Sequence, residues 1–158
     1  MLKNYIIVFL ISMVPLVELR LAIPYAIGVG LPIVPSIIIA VIGNMLPVPF
    51  IFFFARKVLE WGQDKKLIGG FCRWCISKGV KGSDKLQKKG TGLYIALLLF
   101  VGIPLPGTGA WTGTLAASFL NMDFKKSVLA VMAGVLLAGA IMLAASLGVF
   151  GAIDFLAR

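Results

Sequence analysis

Ile103-Pro104-Leu105-Pro106-Gly107-Thr108-Gly109-Ala110-Trp111-Thr112-Gly113 is the stretch that decides how this chain folds. It sits inside residues 91–120, 30 residues without a charge. As one helix, that block would measure ~45 Å, against about 30 Å for the hydrocarbon core of a bilayer. The run cannot continue one helix. Proline removes a donor and clashes with the preceding turn, and glycine relaxes the backbone. Broken backbone at membrane depth is tolerated only where protein buries it or it lines a watery cavity. The run therefore reads as the tip of a re-entrant helical hairpin, with breaks at Pro104, Pro106 and Gly107. Such a hairpin enters the membrane, turns near the middle and leaves on the same side.

The rest of the chain supports a membrane setting. Of 158 residues, 60% are hydrophobic and 13% charged, more apolar surface than a soluble core of this size hides. Two further charge-free stretches, residues 33–55 and 127–153, are 23 and 27 residues long. A helix needs about 20 to cross. Lys3 and the apolar residues after it resemble a signal peptide, but no small-residue cleavage site follows, so cleavage is not expected.

Residues 5–31 share the broken character of residues 91–120. Pro15, Glu18, Arg20 and Pro24 interrupt them near the midpoint, predicting a first hairpin. A span follows each hairpin. Residues 38–46 align with 128–136 at an offset of 90, with three identities in nine. The expected fold is all-α integral membrane, one domain over residues 1–158. It comprises a first repeat (1–55), a basic cytoplasmic loop (56–90) and a second repeat (91–158). With that loop between the halves, hairpin-plus-span repeated twice is an inverted repeat, a recurring transporter architecture. By basic residues alone, this topology ties with a plain four-span one, so the broken helices decide between them.

Ten of the fifteen basic residues lie between Arg56 and Lys89, within a net charge of +9. Beside membrane spans, this predicts a cytoplasmic loop lying on anionic lipid rather than a nucleic-acid site. Leu59, Trp61, Leu67, Ile68, Phe71, Trp74 and Ile76, interleaved with basic residues, predict an amphipathic surface helix there. Cys72 and Cys75 form a lone C-x-x-C with no histidine in the chain, too few ligands for a zinc site, and read as reduced thiols. No metal, cofactor or enzymatic activity is expected, because the sequence offers no nucleophile–base arrangement.

The candidate transport residues follow from cost. Charges at membrane depth are expensive, and Glu18 and Arg20 are the only ones after Lys3 in the first block. Arg20 suits a phosphate or carboxylate, and Glu18 is the candidate proton carrier. It is equally placed to neutralise Arg20. The second hairpin offers Thr108, Trp111, Thr112 and a half-helix starting near Gly109, whose free N–H groups attract anions. Asn44 joins the substrate-binding set because an amide in hydrocarbon needs a partner. Ala130, Gly134 and Ala138, by contrast, form a small-residue packing ridge.

Three motifs carry a family resemblance: Glu18-Leu19-Arg20-Leu21-Ala22-Ile23-Pro24, Gly43-Asn44-Met45-Leu46-Pro47-Val48-Pro49 and the run from Pro104 to Gly113. They resemble the small multidrug export proteins, a label that implies export of drug-like cations. The chain does not resemble the small multidrug resistance proteins. More distantly it is similar to the DedA membrane proteins, which implies two re-entrant hairpins and handling of the lipid carrier undecaprenyl phosphate. DedA second hairpins typically carry arginines flanking the proline. Here Ile103, Leu105 and Gly107 to Gly109 supply none, leaving Arg20 and Arg56 as the cationic candidates. The expectation is a multi-pass transporter of a bacterial or archaeal cytoplasmic (inner) membrane, most simply a polyprenyl phosphate flippase. The alternatives are a proton-coupled exporter of lipophilic cations and a scaffold acting through its basic loop. The expected partners are membrane lipids and a second copy of the chain, because two hairpins and two spans make a thin body for sealing a cavity.

Overall fold

The computed structural model describes residues 1–62, 64, 70, 91–105 and 107–156. Among the described residues, the regular structure is all helical, and no strand occurs. In chain order the helices are α1 (Leu2–Met13), α2 (Glu18–Gly28), α3 (Ile33–Met45), α4 (Pro47–Gly62), α5 (Thr91–Gly102), α6 (Ala110–Phe119) and α7 (Phe124–Leu156). Most of the basic stretch, with Cys72 and Cys75, lies outside the described residues, as does Pro106. The helix expected between Leu59 and Ile76 falls there too, except that its first turn belongs to α4.

Each break has a local cause. Pro15 forbids helical geometry to the residue before it, and Val14 is accordingly extended, at φ −71° and ψ 130°, which ends α1. The expected break at Pro24 is not seen; α2 runs through it. A proline there costs only the bond to the Arg20 carbonyl, a loss that apolar helices packed among neighbours can absorb. The chain therefore turns between α1 and α2 at Val14 to Val17, just before Glu18 and Arg20.

The two halves end their second short helix in the same way. After α2, Gly30 takes φ 70°, Leu31 N donates to Ala26 O at 2.9 Å and Gly30 N to Ile27 O at 3.0 Å. After α6, Asn121 takes φ 53°, Met122 N donates to Ala117 O at 3.0 Å and Asn121 N to Ser118 O at 3.1 Å. Both are Schellman closures, which need glycine or asparagine in the left-handed position. Leu31 and Met122, the residues that follow, are both buried. Pro32 then opens α3, and Asp123 opens α7 by accepting from Lys126 N at 3.0 Å.

Among the described residues, two stretches are long and apolar enough to cross a membrane, Ile33–Ala55 and Phe124–Ala152. The first joins α3 to α4 without interruption. Leu46 stays helical and donates to Ile42 O at 3.0 Å, and Pro47 begins α4.

Packing is reciprocal. α1 lies on α3 and α5 on α7, while α2 lies on α7 and α6 on α4, so each second short helix packs on the long helix of the other half. Contacts along α7 set the levels. The Lys126 ammonium lies 5.9 Å from the Tyr94 ring centroid. A Cβ on Gly134 would come within 2.7 Å of Leu98 O, and one on Gly102 within 3.2 Å of Leu137 Cβ. Further along, a Cβ on Gly139 would stand 3.8 Å from Ile23 Cδ1, and one on Gly28 3.2 Å from Phe150 Cζ. Thus α5 accompanies the first half of α7 and α2 the second. Gly102, the last residue of α5, lies against Leu137 near the middle of α7.

The surface is that of a protein surrounded by lipid. Phe50, Phe54 and Leu129 are 72%, 68% and 69% exposed, among many other outward-facing leucines and isoleucines. Continuous apolar patches of this kind mark contact with membrane rather than with water. Inside, Val8, Leu19, Ile23, Val101, Val131 and Val135 form the core.

Candidate functional site

The site is built where α2 and α6 begin. The Glu18 side chain, only 4% exposed, points at the start of α6. Its Oε2 accepts from Ala110 N and its Oε1 from Trp111 N, each at 3.1 Å. A helix start carries unpaired N–H groups and a partial positive charge, the natural counterpart for a buried carboxylate. Gly109, at φ 139° and ψ −173°, makes room in backbone space that only glycine uses freely. A Cβ there would fall within 2.7 Å of the Glu18 carboxyl carbon. Glu18 itself sits at φ 49°. A non-glycine residue in that region costs about 1–3 kcal/mol, and surrounding structure has to hold it there.

Arg20 reaches the loop before α6. Its Nη2 donates to Thr108 Oγ1 at 2.6 Å. The same hydroxyl lies 2.8 Å from both Ile103 O and Leu105 O, and accepts from Leu105 N at 3.2 Å. With a single proton, it donates to one of those carbonyls at a time. Thr108 therefore closes its own loop and offers an acceptor to Arg20. A third tie runs from Trp111 Nε1 to Met13 O at 3.2 Å, back to the end of α1. The bonds made by Glu18, Arg20 and Met13 join the first half of the chain to the second.

Glu18, Arg20, Thr108, Gly109 and Trp111 are thus brought together. Glu18 and Arg20 do not neutralise each other: Glu18 takes the backbone of α6 and Arg20 takes Thr108. The N–H groups at the α6 start, expected to be free for a ligand anion, are held by the protein's own carboxylate. Thr112 is adjacent but turns back on its helix, donating to Gly109 O at 3.4 Å. Gly107 has φ 84° and is exposed, as a turn requires. Asn44 lies apart on α3, 1% exposed, with no partner for its carboxamide oxygen among the described residues. Its neighbour Gly43 makes the close α1–α3 contact, where a Cβ would come within 2.7 Å of Phe9 O. Among the described residues, no group of three or more acidic, cysteine or histidine side chains could hold a metal.

Met13 at the junction, and Tyr94 with Lys126 at a separate cavity, are not visible as site residues in the sequence reading. Met13 acts through its carbonyl, which no side-chain motif reveals, although Pro15 two residues later signals backbone left exposed by a helix end. Tyr94 and Lys126 border a cavity of about 740 Å³ between α5 and α7, well away from Glu18. The Asp123-x-x-Lys126 pair at the head of α7 was the available signal.

No curated protein and no solved structure matches the chain. The model of a family described as "Putative small multi-drug export protein" matches residues 18–141, from Glu18 through most of α7. That match covers well over half of the 158 residues, includes every side chain of the junction, and establishes that the chain belongs to the small multi-drug export family.

Proposed function

We propose that the chain is a multi-pass transporter of the cytoplasmic membrane that moves an anionic amphiphile through the Glu18–α6 junction. One observation carries this reading: a carboxylate already occupies the start of α6, with the Arg20 guanidinium tied to the loop beside it. An anion-binding place is therefore built, and Glu18 fills it. A substrate phosphate or carboxylate competes with Glu18 for the Ala110 and Trp111 N–H groups, and Arg20 supplies its countercharge. Proton uptake by Glu18 removes its charge and frees the place. Release of the proton expels the anion, which couples the two movements.

The depth of the junction supports two re-entrant hairpins in an inverted repeat. α5 and α6, at 12 and 10 residues, are ~18 and ~15 Å long, about half a bilayer core. Their outer ends, Thr91 and Leu120, border one cavity, so the pair goes in and returns to the same face. α1 and α2 are 12 and 11 residues, and α2 ends against Phe150 at the opposite end of α7. The basic end, with Lys125 and Lys126 beside the start of α5, faces the cytoplasm by the positive-inside rule. For an anionic lipid, the headgroup enters the junction while the tail stays in the bilayer. Polyprenyl phosphate is the substrate that the DedA likeness suggests.

The family description favours a second reading, export of lipophilic cations with Glu18 exchanging drug for proton. Glu18 would then have to leave both of its N–H donors, and Arg20 would repel the cargo. Proteoliposomes separate the readings. Labelled polyprenyl phosphate movement that is lost in Arg20→Ala and uncoupled from pH in Glu18→Gln is expected. Equal movement in empty, wild-type and mutant vesicles refutes the anion reading. Proton-driven ethidium uptake that persists in Arg20→Ala and vanishes in Glu18→Gln establishes the cation reading instead.

A further inference from the structure

The cavity at the basic end has the form of a second binding site. We propose that it holds one anionic phospholipid, with an acyl chain between α5 and α7 and the headgroup on Lys126. This rests on the cavity and its rim, not on what passes through the Glu18 junction. The volume, about 740 Å³, falls within the range of about 300–1,000 Å³ typical of small-molecule sites. Leu98, Leu129 and Ala133 are among its apolar walls. Leu129 is one of the most exposed leucines in the chain, so the cavity opens sideways onto the lipid-facing surface. An acyl chain can enter from the bilayer without crossing water.

The polar groups gather at one end. Asp123, Lys126 and Tyr94 all border the cavity there. Asp123 already accepts from Lys126 N at the head of α7, so its carboxylate is engaged in capping. The Lys126 ammonium lies 5.9 Å from the Tyr94 ring centroid. That contact is weak and leaves an ammonium with three donors to satisfy. Lys125 neighbours it in sequence. Apolar walls below the Lys126 ammonium complement an anionic headgroup on an acyl chain. Basic pockets between membrane helices on the cytoplasmic side hold acidic lipid headgroups for this reason.

The test is native mass spectrometry of the full chain from detergent, titrated separately with phosphatidylglycerol, phosphatidylcholine and inorganic phosphate. Retention of phosphatidylglycerol above phosphatidylcholine is expected. Lys126→Gln should lower phosphatidylglycerol affinity about fivefold and leave phosphatidylcholine unchanged, in line with roughly 1 kcal/mol per lysine near an anionic headgroup. Ala133→Phe, which fills the cavity, should abolish retention of both lipids; should it fail to fold, the Lys126→Gln series decides alone. Equal retention of the two lipids, or no change in Lys126→Gln, overturns the proposal. So does displacement of phosphatidylglycerol by equimolar inorganic phosphate, which would make free phosphate the ligand.

Discussion

Replacing Glu18 by glutamine tests the junction with the smallest possible change in shape. The carboxylate accepts one N–H on each oxygen, from Ala110 and Trp111. Glutamine keeps one acceptor and turns the other into an NH₂ group. Whichever way the amide faces, one backbone N–H meets a donor. A hydrogen bond to a charged group contributes about 1.5–3 kcal/mol and a neutral one about 0.5–1.5, while a buried orphan donor costs about 1–3. The helix-start charge interaction adds roughly 0.3–1 kcal/mol. Against these stands desolvation: at 4% exposure, the carboxylate gives up most of its hydration, and the neutral amide recovers several kcal/mol. Because both oxygens are bonded, the bonding terms should win, for a net loss of about 2 kcal/mol in glutamine. Glu18→Leu orphans both N–H groups and should lose about 3–5 kcal/mol. The assay is SDS-titrated unfolding from mixed micelles, read for wild type, glutamine and leucine. The order wild type, glutamine, leucine is expected. Glutamine at or above wild-type stability would mean that desolvation dominates and that Glu18 does not hold the two halves together.

Other consequences are local. Gly109→Ala places a Cβ against the Glu18 carboxylate in backbone space that alanine avoids, and should lose at least as much stability as Glu18→Gln in the same titration. Thr108→Val removes the Arg20 acceptor and the loop closure together; it should cost about 2 kcal/mol, against about 1 for Trp111→Phe, which loses only the bond to Met13 O. Gly134→Val drives a side chain into Leu98 O and Val101 and should destabilise the α5–α7 pair, seen as a lower thermal midpoint. A cysteine at Lys125 should react with an impermeant reagent from the cytoplasmic side only, because α5 and α7 start at the same end; labelling from outside alone would refute the re-entrant reading.

Much of this was legible in composition and punctuation. Long charge-free runs can only be membrane or core, and the turn before Gly109 follows from proline and glycine chemistry. Pro24 was misleading because it carries the same letter as Pro15 but sits where a helix can absorb it; the difference lies in the neighbours that pack around α2. Glu18 and Arg20 were legible as costly charges, but their partners were not. Pairing them with each other is the natural guess at two-residue spacing. The structure instead sends each to α6 or its loop, some 90 residues away. Backbone acceptors and donors such as Met13 O and Ala110 N have no sequence signature, so a site built largely from main chain stays hidden until the fold is known. The Schellman closures at Gly30 and Asn121 were hidden for a related reason, since glycine and asparagine are different letters for one backbone need.

The junction also constrains how any opening can occur. Four bonds cross it, from Glu18 to Ala110 and Trp111, from Arg20 to Thr108, and from Trp111 to Met13. They are not independent. Trp111 is held by its backbone to Glu18 and by its indole to Met13, so a shift of α6 strains both. Thr108 closes the loop that aims Gly109, so losing Arg20 loosens the position from which Ala110 donates. Coupled contacts of this kind break together, giving two arrangements rather than a gradual loosening. The two halves also meet through helix packing in which each second short helix lies on the other half's long helix, with one further buried bond from Ser118 Oγ to Phe52 O at 2.7 Å. On the reading proposed above, control of the movement lies at Glu18, which supplies half of the four bonds that cross the junction.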